Sequence, residues 1–548
     1  MSSLINSAMS GLSAAQSALS TTSNNITNYT VAGYSRQTTN LAQAQSTLNG
    51  SAYYGNGVTV TGVTREYDEF ITSQLRTASS QSSAAATQYS QISSIDDLLS
   101  SSTTNLSKSL QTFFNNVQGV VSNAEDPSAR QTLLSNASGL VNQFQTSAQY
   151  LNNLDNSVNT DVKATVSQIN GYSSQIANLN KQIAKMQAIG GGATPNALMD
   201  QRDQMVNNLN KLVGVTVSQQ DGSYNVSMAN GMSLVSGSSV QSLVAMPSSS
   251  DPARITVGYV DNAAGNVQIP EKLITNGSLG GLLAFRSQDL DGARNQLGQI
   301  AAAFTTKFNE QHAKGFDSQG DAGTDFFKIG GPEALNNTKN QGTSVMTASW
   351  SNASALQASN YTVSLDTNNN WNVTRMSDGV SVTPTVTSDA NGTTLSFEGL
   401  DLNITGDVKA KDSFLVKPVE KAITGMSVAI TRESQIAAAS ETGGKSDNRN
   451  AQALLGLQDA NLVNGNATLT QAYAGLVSIV GNKTSTLETA STTQANVVTQ
   501  LSDRQQSVSG VNLDEEYANL TRYQQYYMAN AQVLKTASSL FDALMSIR

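Results

Sequence analysis

The sequence predicts a mainly α-helical protein with inserted antiparallel β-structure, and three observations predict it. Apolar residues recur every seven positions at both ends of the chain and through a long interior stretch. In two other interior segments the period drops to two, and Asp-Gly and Asn-Gly turn pairs punctuate those segments.

At the N-terminus Ile5, Leu12, Leu19 and Ile26 stand seven apart, with Ala8, Ala15 and Thr22 between them. At the other end Leu513, Leu520, Tyr527, Leu534 and Phe541 repeat the spacing, flanked by a second column of Tyr526, Val533, Leu540 and Ile547. A lone helix cannot shelter such a stripe from water, so the small N-terminal seam and the thicker C-terminal one are expected to pack as a terminal coiled coil. The alternative is two independent amphipathic helices on separate cores.

Helix is predicted from about 66 to 123, with a break at SSSTTN, and reopens at Asp126-Pro127, an N-cap followed by proline in the first turn. Val162, Ile169, Ile176 and Ile183, shadowed by Val158, Tyr172, Leu179 and Met186, mark a rod-like helix that runs to Gly190–Gly192. Alternation at Val215 and Val217, then Tyr224, Val226 and Met228, with turns at Asp221-Gly222 and Asn230-Gly231, predicts a small antiparallel element at about 213–274. Helix returns from Leu279 to about His312. Tyr361, Val363 and Leu365, then Trp371 and Val373, with turns at Asp378-Gly379 and Asn391-Gly392, predict a second β region. After Pro418 the chain is expected to be helical again, through Asn448–Asn461 and Thr468–Ser507.

The implied domains are nested. Residues 1–60 and 508–548 form a terminal docking domain. Residues 61–335 and 419–507 form a long-helix bundle domain carrying the small β element, and 336–418 an outer antiparallel β domain.

Composition excludes several function classes. The net charge is -9 and no Lys/Arg run of even four residues occurs, so the basic surface that nucleic acid demands is missing. Cysteine is absent and histidine occurs once, which rules out disulfides, thiolate metal centres and His-rich sites. No apolar run approaches the length of a membrane helix, and the opening residues lack the pattern of a Sec signal, so a soluble chain is expected, one that would use another route if it leaves the cell.

The chemistry-bearing candidates read as structural. GGGATPN at Gly190 lacks the Lys-Ser/Thr of a phosphate loop, and any Ser-His-Asp triad would rest on His312 alone, where a helix-end cap or surface role is expected. The acidic loop Asp317–Asp325 departs from the EF-hand pattern at Gly320 and Lys328 and reads as a solvated turn. Asp514, Glu515 and Glu516 complement the macrodipole at a helix start. Tyr517, Tyr523, Tyr526 and Tyr527 point to packing against a partner helix rather than base stacking. No cofactor, metal site or catalytic residue is expected.

The run from Ser23 to Arg36, SNNITNYTVAGYSR, resembles the N-terminal signature of flagellar rod, hook and hook-associated proteins. Thr27 and Tyr29 within it favour a hook-associated member. The C-terminal run from Ser509 is similar to the end of the flagellar hook-associated protein 1 family, and SNAEDPSARQ, GSLGGLLAFRSQDLD and SDNRNAQALLGLQ resemble its internal segments. The resemblance is weakest at about 335–415. It implies a non-enzymatic structural subunit of the bacterial flagellum, extracellular at the junction of hook and filament, required for filament assembly and exported by the flagellar type III apparatus. The partners it implies are hook protein, a second junction protein, further copies of the chain in a ring, and an export chaperone on the C-terminal helix. The signature residues Asn25, Asn28, Gly33 and Tyr34 join the heptad residues as expected interface positions. A hook, rod or second junction protein, an enzyme housed in the outer β region, and a surface adhesin are the competing readings.

Overall fold

The computed structural model describes residues 2–49, 51–101, 105–390 and 392–546. Ile547, Asn391 of the expected Asn-Gly turn, and Ser102–Thr104 of the expected helix break lie outside the described residues.

The rod forms as its pattern dictates. Asp126 caps it by accepting from Ser128 N–H, Pro127 sits in the first turn, and α4 continues through Pro127–Ile189 to the glycines. At 63 residues it is roughly 95 Å long. Its buried column is Val158, Val162, Ile169, Ile176 and Ile183, whereas Met186 faces solvent. Around it pack α3 (Leu106–Ser122), α5 (Asn196–Leu212), α6 (Gly277–Ala284) and α7 (Asp291–His312), and α2 (Glu69–Ser100) lies against α5 and α6. A single π-helical turn at Phe285–Leu290 joins α6 to α7.

Two antiparallel sheets cover the middle of the rod, a four-stranded meander over 215–240 and a three-stranded sheet over 243–268. Asp221 and Gly222 both take positive φ, as the two-residue turn between their strands requires. The outer β region is a sandwich. A five-stranded sheet ordered 333–336, 413–417, 361–365, 371–375, 381–382 faces a four-stranded one ordered 345–350, 400–405, 392–397, 385–389. Tyr361, Val363, Val373, Leu395, Leu402, Phe414 and Val416 fill the space between them.

Three expectations need correction. After Pro418 the chain is not continuously helical: only α8 (Glu420–Thr424) and α9 (Arg449–Gly456) form before α10 (Leu469–Ser509), because backbone groups of 426–451 bond to the body instead, as Ala439 does with Phe316. Residues placed at the end of the docking domain, up to 60, and at the start of the long-helix domain, from 61, instead form one antiparallel pair of strands, Gln37–Gln43 with Val58–Arg65. The alternating β-branched run VTVTGVTR carried that signal.

His312 is not at the surface. It ends α7 fully buried beside Phe308 and Phe326. Its Nδ1 lies 2.6 Å from the Thr324 carbonyl and its Nε2 accepts from Ala437 N–H at 2.9 Å, so both ring nitrogens are used by the neutral imidazole. Burial pushes its pKa below the ordinary value, more than the Thr324 carbonyl and nearby carboxylates pull it up.

Candidate assembly site

The terminal helices meet. α1 (Ser2–Asn28) packs on α11 (Leu513–Ser546), and two contacts fix the direction. Asn25 Nδ2 donates to Glu516 Oε2 at 3.2 Å, and a β-carbon on Gly11 would collide with Asn530 Oδ1. Moving back along α1 therefore moves forward along α11, so the pair is antiparallel. Gly11 is what permits that close approach.

The seam differs from the expected one. On α1 the buried positions are Ala8, Ala14, Ala15, Ala18, Thr22 and Asn25, while Ile5, Leu12, Leu19 and Ile26 are only half-buried. On α11 the column facing α1 is Glu516, Tyr523, Asn530 and Ala537, seven apart, and only Glu516 and Ala537 are buried among the described residues. Small residues on α1 let the two backbones approach, which leaves the large ones at the margins. Leu513, Leu520 and Leu534 are half-buried and Tyr527 and Phe541 exposed on one flank. On the other flank Tyr526, Val533 and Leu540 remain 53%, 41% and 51% exposed.

The signature run folds as a latch at the base of this pair. Asn25, 1% exposed, accepts from Tyr34 O–H at 2.8 Å and from Gln37 N–H at 3.0 Å, and donates to the Gln37 carbonyl at 2.9 Å. Arg36 donates through Nε to Glu516 at 2.8 Å, pairs with Glu515 at 2.8 Å, and bonds through its own N–H to the Ser509 carbonyl. The acidic start of α11 thus does more than complement a dipole: it is tied to the signature. Burial, with Asp200 and Glu516 adding, pushes the Tyr34 hydroxyl up to about 12. Asn28 closes a local bond to the Asn24 carbonyl. Gly33 takes φ +83 with Gln204 beside it, a conformation that suits glycine.

A second set of charges carries the latch into the body. Ser35 N–H approaches Asp200, and Arg65, at the end of the hairpin, pairs with Asp200 at 2.6 Å and Asp203 at 2.9 Å. Asp203 also receives Arg76 of α2 at 3.1 Å and the Tyr224 hydroxyl at 2.8 Å. Burial pushes the Asp200 carboxyl up even against Arg65, whereas the two carboxylates outweigh burial at Arg65 and hold its pKa above the usual value. Arg36 closes the signature run without being named an interface position, and Arg65, Arg76, Asp200 and Asp203 carry no signal in the sequence, since partners so far apart in the chain leave no local pattern. Asp317, in the acidic loop, accepts from Gln319 and Asp321 N–H and closes its own turn.

Comparison with known proteins follows the same segments. Residues 5–34 match the flagella basal body rod protein family and residues 504–547 the flagellar basal body rod FlgEFG protein C-terminal family. Residues 92–327 match the flagellar hook-associated protein FlgK helical domain, and 335–418 the D2-like domain of flagellar hook-associated protein 1. Along its whole length the chain is 58% identical to flagellar hook-associated protein 1 of Escherichia coli strain K12, covering 100% of both chains. The chain belongs to the flagellar hook-associated protein 1 family. Membership makes it a structural, axial component of the bacterial flagellum at the hook-filament junction. The relative from Bacillus subtilis strain 168 is 25% identical over 99% of this chain and 97% of its own length. The flagellar hook junction protein FlgK from Burkholderia pseudomallei, 30% identical, superposes with a TM-score of 0.75 over 80% of this chain and 100% of that one. A hook or rod subunit is thereby set aside.

Proposed function

We propose that the antiparallel terminal pair docks each subunit into a ring of like subunits, with hook protein on one side and a second junction protein on the other, and that the chain has no catalytic role. The observation that carries this reading is the uncovered apolar surface of α11, flanking a helix, α1, that contains no charged residue at all. The apolar flank of α11, set beside the uncharged α1, gains by burial against neighbours. The same surface on a not yet folded chain suits an export chaperone, and helices that bury their stripe only on assembly suit passage through the flagellar type III apparatus.

The test replaces Val533→Asp together with Leu540→Asp in the full chain. Both side chains face solvent, so the melting behaviour of the isolated protein should stay within about 0.5 kcal/mol of the parent. Cells carrying the variant should make hooks without filaments. Filaments of normal number and length would refute the docking role of this flank.

A further inference from the structure

Where the outer sandwich meets the rod, the chain buries a connected set of charges that the docking role does not use. Lys417, the last residue of the strand leaving the sandwich, places Nζ 2.7 Å from Asp251 and 2.9 Å from Glu420. The side chains of Lys417 and Asp251 are 4% and 5% exposed. Asp251 lies beside Arg254 at 3.3 Å, in the loop between two strands of the middle sheet. Arg254 donates through Nη1 to Asp291 at 2.7 Å, at the start of α7 directly after the π-helical turn. One turn along α7, Arg294 reaches Asp155 of the rod at 3.3 Å. The pairs therefore run unbroken from sandwich to middle sheet to α7 to rod.

Such a set contributes little net stability, because desolvating each ion offsets most of its attraction, but it tolerates few geometries. Each charge must keep its partners, and a rotation of the sandwich that separates Lys417 from Asp251 leaves Lys417 with Glu420 and Asp251 with Arg254, each buried ion short of one partner. Nearby contacts agree in direction: Trp350 Nε1 donates to the Pro418 carbonyl at 2.9 Å, Thr338 N–H donates to the Ser249 carbonyl at 2.9 Å, and Ala302 of α7 belongs to the sandwich core. We infer that the Lys417 cluster is a charge clamp that holds the outer sandwich in one orientation on the rod, so that each subunit behaves as a rigid arm rather than two bodies on a hinge.

The absence of native cysteine makes the test direct. Thr367→Cys on the sandwich and Lys163→Cys on the rod, both at exposed positions, carry spin labels in the full chain, and pulsed dipolar spectroscopy reads the distance between them. The clamp predicts one narrow distribution, a broad or shifted one in Lys417→Met, and a narrow one again in Lys417→Arg. Should Lys417→Met fail to fold, Glu420→Gln, which removes only the outermost carboxylate, is expected to broaden the distribution less. A broad distribution in the parent overturns the inference. So does an unchanged one in folded Lys417→Met or, failing that, in Glu420→Gln.

Discussion

The core of the body and the terminal helix pair use the same α-helical packing and end in opposite conditions. Around Phe113 the rings of Phe114, Phe304, Phe308, Phe326 and Phe327 stand mostly edge-to-face with centroids 5.3–6.4 Å away, all out of contact with solvent. Between α1 and α11 the buried apolar groups are alanines, and the large ones sit at the margins. The first region satisfies its apolar surface alone, whereas the second leaves it uncovered. The proposed docking role gives a reason to keep these two conditions apart, and the latch at Asn25, Tyr34, Arg36 and Glu516 stands at the boundary between them.

The contrast is sharpest by truncation in each region. Phe113→Ala should cost about 3–5 kcal/mol in chemical denaturation, the price of a buried aromatic cavity, while Phe541→Ala should cost under about 0.5 kcal/mol. Similar losses at the two sites would break the comparison. At the boundary, Asn25→Ala strips partners from Tyr34, Gln37 and Glu516 and should cost about 1–3 kcal/mol, appearing as faster amide exchange in residues 34–37 and the first turns of α11 but not around Phe113. Uniform loss of protection across both regions would show that they unfold as one.

The smallest expected effect is a pH slope in the body. The folded pKa of His312 lies below its unfolded value near 6.5, so its contribution is intact above that pH and is lost as pH falls toward the folded value, where the unfolded chain takes up the proton first. The urea midpoint should therefore drop between about pH 7.5 and about pH 5.5, and His312→Gln should flatten that part of the profile. An equal slope in the variant would remove His312 from the account.

Much of the fold was legible because periodicity survives in a single chain. The rod from Asp126 to Gly190, the Asp221-Gly222 turn and the alternation at Tyr361–Leu365 all follow from local residue types. Contacts between distant segments were not legible in this way. Glu516 reads as a helix-start carboxylate until Arg36 and Asn25 are seen beside it, and Asp200 and Asp203 carry no local signal because their partner Arg65 arrives from the hairpin. His312 reads as a helix end because nothing near it in sequence announces the phenylalanines that enclose it. The seam was legible in part: Ala8, Ala15 and Thr22, expected between the large heptad residues, are buried, but a pair drawn close by Ala8, Ala15, Ala18 and Gly11 pushes the large residues outward.

The claim that the body is self-sufficient and the terminal pair is the docking element is tested most directly by removing residues 508–548. The account predicts that the truncated chain keeps the thermal transition and exchange protection of the Phe113 core while it is absent from the hook-filament junction of cells that express it. Normal incorporation of the truncated chain at the junction, or collapse of the core without α11, would contradict it.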